Sequence, residues 1–193
     1  MGTVASAMSM SLDGFVTGPH DSREHPLGVG GEPLHAWLGP QGSPQDRAVI
    51  DEMVAGAGAI VLGRRSYDFC VGEGGWGDGG PAGQTPCFVL THQAPAEPTP
   101  SVFTFVTDGI DSAIRQAQAV AGDRTVGLHG ASTPQQALAA GLLDEIHVHL
   151  VPILLGDGVR LFDLLGAAPH ALERTRIVVS DSGVTHLRYR VPR

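Results

Sequence analysis

The sequence is short of several things, and each shortage removes a class of protein. Of its 193 residues only two are cysteines, Cys70 and Cys87. Two thiols cannot build the disulfide framework of a small secreted scaffold, so both are expected to be free and buried in a reducing compartment. Charged residues make up only 17% of the chain, the net charge is −8, and no stretch concentrates basic side chains. A nucleic-acid surface needs such a stretch to neutralise phosphates, so no nucleic-acid partner is expected. No apolar run approaches the roughly 20 residues of a membrane helix. Residues 1–10 lack the basic and apolar regions of a secretion signal. The expectations are no membrane and a cytoplasmic location.

Hydrophobic residues are plentiful at 42%, as are Gly (27) and Pro (14). That is a globular composition with ordered loops between packed elements, and the length fits one domain over residues 1–193. Residues 3–11 alternate small or polar with apolar side chains and end at Leu12-Asp13-Gly14, a strand leading into a turn. Residues 18–42 are rich in Gly and Pro, carry His20, His25 and His35, and are too long for an idle connection. Ser43-Pro44-Gln45-Asp46 opens a helix, with Ser as N-cap, Pro at N1 and an acidic side chain at N3. A buried strand over 59–62 runs into Gly63-Arg64-Arg65-Ser66-Tyr67. A glycine-dense flap anchored by Trp76 leads to a strand over 87–90, followed by Thr91-His92. Strands over 102–106 and 125–129 flank a helix over 111–121. Gly130-Ala131-Ser132 turns into a helix opened by Thr133-Pro134. A long strand is expected over 144–155, and a hairpin over 174–191 around Asp181-Ser182-Gly183. Strands alternating with helices before a strand-rich end mean an α/β fold with a mostly parallel sheet.

In such sheets ligands collect at the carboxyl ends of strands. Three strand ends here carry residues suited to phosphates. Gly63-Arg64-Arg65-Ser66 offers close backbone approach, guanidinium forks and a hydroxyl. Thr91-His92 offers a hydroxyl and an imidazole. Gly130-Ala131-Ser132-Thr133 offers free amides at a strand-to-helix turn. Each alone could be an ordinary solvated strand exit. Together they read as a dinucleotide site, and the arginines favour a 2′-phosphate, hence NADPH. The Gly-x-Gly-x-x-Gly fingerprint is absent after the first strand.

Met8-Ser9-Met10-Ser11-Leu12-Asp13-Gly14, then Gly63 to Tyr67, then residues 141–162 (Gly-Leu-Leu-Asp-Glu-Ile-His-Val-His-Leu-Val-Pro-Ile-Leu-Leu-Gly-Asp-Gly-Val-Arg-Leu-Phe) resemble, in order, the reductase domain of the riboflavin-pathway deaminase-reductase and its stand-alone relatives. The resemblance implies a dihydrofolate-reductase-like three-layer α/β/α fold. Its central sheet would be mixed and mostly parallel, with an antiparallel C-terminal hairpin. It also implies bound NADPH, hydride transfer to a small heterocyclic or carbonyl substrate, and a homodimer. The substrate by analogy is 5-amino-6-(5-phosphoribosylamino)uracil; dihydrofolate is the enzymatic alternative, and a non-catalytic NADP(H)-binding sensor the other.

Carried onto this chain, the resemblance assigns Gly63, Arg64, Arg65, Ser66, Thr91, His92, Gly130, Ala131, Ser132 and Thr133 to the cofactor. Ala7 would lie near the nicotinamide. Arg47 would meet a substrate phosphate, and Asp46 or Asp51 would stand near the position of the folate reductases' first-helix carboxylate that protonates a pterin. Leu128 would face the substrate, and Trp37 or Trp76 would cover it. Asp13, at the end of the first strand, is the candidate catalytic residue for proton relay. The riboflavin enzyme's carboxylate before the glycine turn is replaced here by Leu128 and His129. The deaminase motifs His-x-Glu and Pro-Cys-x-x-Cys do not occur, so no deamination is expected. No metal site is expected, because His147 and His149 share a strand face without a third ligand at suitable spacing.

Overall fold

The computed structural model describes residues 2–73, 75–163, 165–166 and 169–192. Its frame is an eight-stranded sheet. In chain order the strands are β1 (Val4–Ser11), β3 (Ala57–Gly63), β4 (Cys87–Leu90), β5 (Phe103–Val106), β6 (Thr125–His129), β7 (Glu145–Val151), β9 (Glu173–Val179) and β10 (Thr185–Arg190). Two short strands, β2 (Phe15–Thr17) and β8 (Val159–Arg160), pair separately beside it. Across the large sheet the order is β5-β4-β3-β6-β1-β7-β10-β9. The first six run parallel; β10 pairs antiparallel with β7, and β9 antiparallel with β10. A parallel interior strand is covered on both faces, which is why β1 is built from Val, Ala, Met and Ser, nearly all buried.

The two-residue period of the strands sorts side chains between the faces. Val4, Val61, Val126, Leu128, Ile146 and Val148 share the main core with Ala113, Ile114 and Ala117 of helix α3 (Ile110–Ala121) and Ala137 and Leu138 of α4 (Ser132–Ala139). On the opposite face Leu34 and Trp37, from a 3-10 helix over Glu32–Leu38, pack with Val151 and Val184. Helix α1 (Pro44–Gly56) starts as its sequence dictates: Ser43 caps Asp46 N–H and the Asp46 carboxylate caps Ser43 N–H, with Pro44 inside. The sheet between two helical layers is the expected arrangement.

Three boundaries differ from expectation. The strand expected over 144–155 ends at Val151, because Pro152 lacks the N–H that would continue the ladder. The residues after Gly63 do not simply exit the strand but coil into helix α2 (Arg64–Cys70). Helix α4 begins at Ser132, with Ala131 at the cap and no side-chain cap bond. Thr133, expected as the cap, turns its hydroxyl onto His129 O at 3.0 Å instead.

Cys70 and Cys87 are free, and burial pushes their thiols up to about 11 and about 12. No helix of the described residues is long and apolar enough to cross a membrane.

Candidate functional site

Because β3, β4 and β6 are parallel, their carboxyl ends lie on one edge of the sheet. A cleft of about 1090 Å³ opens there. It is lined by Gly63, Arg64, Arg65 and Ser66 after β3, by Thr91 and His92 after β4, and by Gly130, Ala131 and Ser132 after β6. The three turns that sequence alone singled out therefore meet in one cavity.

The turns after β3 and β6 face each other at close range. A β-carbon on Gly63 would sit 3.3 Å from Ser132 Oγ, and one on Gly130 would sit 3.3 Å from Ser66 Oγ. Gly130 also has φ +94°, a conformation that side chains with a β-carbon rarely adopt. Glycine thus leaves both the backbone and two hydroxyls open to the cleft. No side chain caps the first turn of α4, so its amides remain available to an anion.

The two arginines diverge. Arg64 leans toward β4: its Nε donates to Asp68 at 2.7 Å and its Nη1 to Gln93 O at 2.9 Å, beside the Thr91 hydroxyl that also bonds Gln93 O. Arg65 reaches the other way, across the cleft mouth, to grip Asp21 with Nε and Nη2, both at 2.7 Å. Each guanidinium lies at the mouth of an open cleft, where ligand oxygens can take the place of its present partners.

Several expected site residues lie elsewhere. Leu128 is buried in the main core; strand alternation sends its neighbour His129 to the cleft instead. Trp37 does not cover the cleft: it is 3% exposed, donates its indole N–H to Ser9 Oγ at 3.0 Å, and packs against His149 and His186. Asp46 is fully buried, bonded to Ser43 N–H and to His186 Nε2, both at 2.8 Å. Burial opposes its ionisation, but the bonds from Ser43, Ser180, Ser182 and His186 win and hold the carboxyl at about 2. Arg47 is exposed on α1 and donates to Gly42 O at 2.8 Å, outside the cleft lining.

Asp13 is also outside that lining. It accepts from Ser11 Oγ at 2.6 Å and from the amides of Leu155 and Gly156. The Ser11 hydroxyl foremost, then those amides, hold its carboxyl down at about 2, so it anchors a turn and has no proton to give near neutrality. Thr133 is buried beneath its turn. Ala7 is half-buried on β1; the register pairs Ser6 with Leu128, so Ala7 and His129 are the next positions along.

Of Leu128 and His129, which together replace the riboflavin enzyme's carboxylate, it is His129 and not Leu128 that reaches the cleft. It lines the cleft, its Nδ1 is buried with no partner among the described residues, and Trp76 meets its ring edge-on at 5.3 Å. Burial, helped by nearby His35, pushes its pKa down to about 4, so the imidazole is neutral near pH 7. The available signal was strand parity: Val126 and Leu128 share one face, which leaves His129 on the other. Asp21 and Arg160 also line the cleft and were missed. Asp21 carries no local motif and meets its partner Arg65 44 residues away, whereas Arg160 belongs to the 141–162 motif but was given no role there.

The RibD C-terminal domain family model matches residues 2–186. No curated protein matches. Among solved structures, a Shewanella sp. PV-4 protein described as a riboflavin biosynthesis protein superposes with a TM-score of 0.72 at 22% identity, over 100% of both chains. A dihydrofolate reductase from Enterococcus faecalis, solved with NADP(H) and RAB-propyl, gives 0.62 at 12% identity over 100% of this chain and 98% of its own. The Thermotoga maritima diaminohydroxyphosphoribosylaminopyrimidine deaminase/5-amino-6-(5-phosphoribosylamino)uracil reductase gives 0.63 at 14% identity. That alignment covers 99% of this chain but only 57% of the Thermotoga protein. The fold is dihydrofolate-reductase-like.

Proposed function

From the premise that the chain belongs to the RibD C-terminal domain family, we propose that it is an NADPH-dependent reductase of a small heterocyclic or carbonyl substrate. The observation that carries this reading is the convergence of the three strand-end turns on one cleft. Strand order gives the cofactor a direction. Running from β4 through β3 and β6 to β1, the cleft passes Thr91, His92 and Arg64, then Ser66, Arg65 and the turn from Gly130 to Ser132, then Met8. A 2′-phosphate belongs beside Arg64, a pyrophosphate between Ser66 and the amides of α4, and the nicotinamide near Ala7 on β1. The bound cofactor would supply hydride; the protein's own part is to orient it and to shape the substrate's surroundings.

His129 stands where the riboflavin enzyme has its carboxylate. A neutral imidazole there suits an uncharged polar heterocycle. Asp46 is enclosed and fully hydrogen-bonded, so it offers no proton to a pterin, and this weighs against dihydrofolate. Two copies are expected to associate: edge strand β9 leaves Ile177 and Val179 half or more exposed. Two free thiols fit the cytoplasm.

The test is a fluorescence titration of NADPH and NADH against wild type, Arg64→Ala and Arg65→Ala. Arg64→Ala should weaken NADPH roughly 10- to 100-fold and leave NADH nearly unchanged, the magnitude of one charge-assisted phosphate contact. Arg65→Ala should weaken both cofactors alike. Equal losses for both cofactors in Arg64→Ala would refute the 2′-phosphate assignment.

A further inference from the structure

We propose that Asp21 is an internal competitor for the cleft's anion site, so that a phosphorylated ligand must displace it from Arg65 and thereby release the loop over residues 18–31. The inference rests on the nucleotide reading of the cleft for the identity of the ligand, but its geometry stands alone.

Arg65 presents Nε and Nη2 side by side to the two carboxylate oxygens of Asp21, each at 2.7 Å, and Nη2 also reaches Asp21 O at 3.1 Å. That fork is the arrangement a guanidinium uses for a phosphate. The Arg65 guanidinium carbon also lies over the Phe69 ring, 4.8 Å from the ring centre, a second contact that holds the head group in place. Both residues line the cleft. An anion entering beside Ser66 therefore meets a cation whose Nε and Nη2 donors are already taken by the protein's own Asp21. Asp21 is the less exposed partner, its side chain 13% accessible against 64% for Arg65, so the carboxylate is tucked inward and the arginine is the side open to ligand.

The loop that carries Asp21 has an uncommon backbone conformation at the same point. His20, directly before it, has φ +55°, and it is the one non-glycine residue with positive φ among the described residues. Such a conformation persists when neighbouring contacts enforce it, and the contact next in sequence is the Asp21–Arg65 pair. A weaker second tie, Arg23 Nη2 to Val71 O at 3.4 Å, joins the same loop to the glycine-rich flap. The loop is closed on itself by Gly18 N–H to Leu27 O and Val29 N–H to Pro19 O. It therefore forms one closed strap, pinned across the cleft by Asp21. Exchange of the carboxylate for a ligand phosphate satisfies Arg65 equally well and frees the strap, coupling binding to opening.

The experiment uses ADP, which has a diphosphate but neither nicotinamide nor 2′-phosphate, alongside NADPH. Each is titrated by calorimetry into wild type, Asp21→Asn, Arg65→Ala and the double variant. Asp21→Asn should bind both nucleotides about 10-fold more tightly than wild type, and the gain should vanish in the Arg65→Ala background. Equal or weaker binding by Asp21→Asn, or a gain that survives without Arg65, overturns the proposal. Hydrogen exchange reads the strap without any ligand: amides of residues 21–29 should exchange faster in Asp21→Asn than in wild type, and unchanged rates overturn it. Should neither nucleotide bind any form of the protein, the cofactor reading fails while the exchange rates still decide the role of Asp21.

Discussion

Asp46→Ala is expected to cost about 3–5 kcal/mol of folding stability in urea titrations, the scale for stranding two buried hydrogen-bonding groups and opening a helix cap. The carboxylate ties helix α1 to the C-terminal hairpin. It accepts from Ser43 N–H and His186 Nε2; His186 Nδ1 in turn shares a 2.8 Å bond with His149 Nδ1, and Ser43 Oγ meets Ser180 Oγ at 2.7 Å. All five residues are buried. Truncation strands the Ser43 amide and the His186 imidazole without acceptors and opens the capping box at the same stroke. Asp46→Asn keeps the shape and one acceptor and should cost less, about 1–2 kcal/mol. NADPH affinity, measured on protein still folded, should hardly change in either variant. A stable Asp46→Ala protein that has lost only turnover would show instead that the residue serves substrate chemistry.

Stability should fall steadily as pH drops from about 6.5, and the cause is buried neutral histidine. Burial first, then neighbouring His186, pushes His149 down to about 3, and burial holds His129 at about 4. His35 and His147 are lowered too, chiefly by burial. In the unfolded chain these rings take protons near 6.5; in the native state they stay neutral. The unfolded state thus binds more protons between about pH 6.5 and 4, and stability present above 6.5 is lost through that window. Each fully buried ring contributes up to about 1.4 kcal/mol per pH unit. Below pH 4 the carboxylates add to the loss. Asp13 and Asp46, both held at about 2, keep their charge in the native state where the unfolded chain has already protonated them near 3.8. Denaturation series at pH 7.5, 6 and 5 test this. His129→Phe should flatten the slope by removing one of the titrating rings. A stability that is level from pH 7.5 to 5 would mean the imidazoles charge freely in place.

How much of this was readable before any coordinates depends on how local each signal is. Ser43-Pro44-Gln45-Asp46 encodes its helix start within four residues, and the capping box appears as written. The three phosphate-suited turns were readable because glycine, arginine and serine at a strand end carry their own chemistry. That they meet follows from parallel strands, whose carboxyl ends share an edge. Roles set by distant partners were not readable. Asp46 was placed correctly on α1 but misjudged, because its partner His186 arrives from a hairpin strand 140 residues later. Asp21 and Arg65 are 44 residues apart, and no pattern in either segment announces the pair. Leu128 and His129 show the cost of one step of strand phase: only packing against α3 decides which of two neighbours faces the core.

If the turns after β3, β4 and β6 together hold one dinucleotide, a single ligand must touch all three. Backbone amide chemical shifts of the isotope-labelled protein, followed while NADPH is added, test it most directly. The amides of residues 63–66, 91–93 and 130–132 should move together along a single saturating curve, while those of the buried Asp46–His186 network stay still. Saturating NADPH that leaves these amides unmoved, or shifts one turn without the other two, would contradict it.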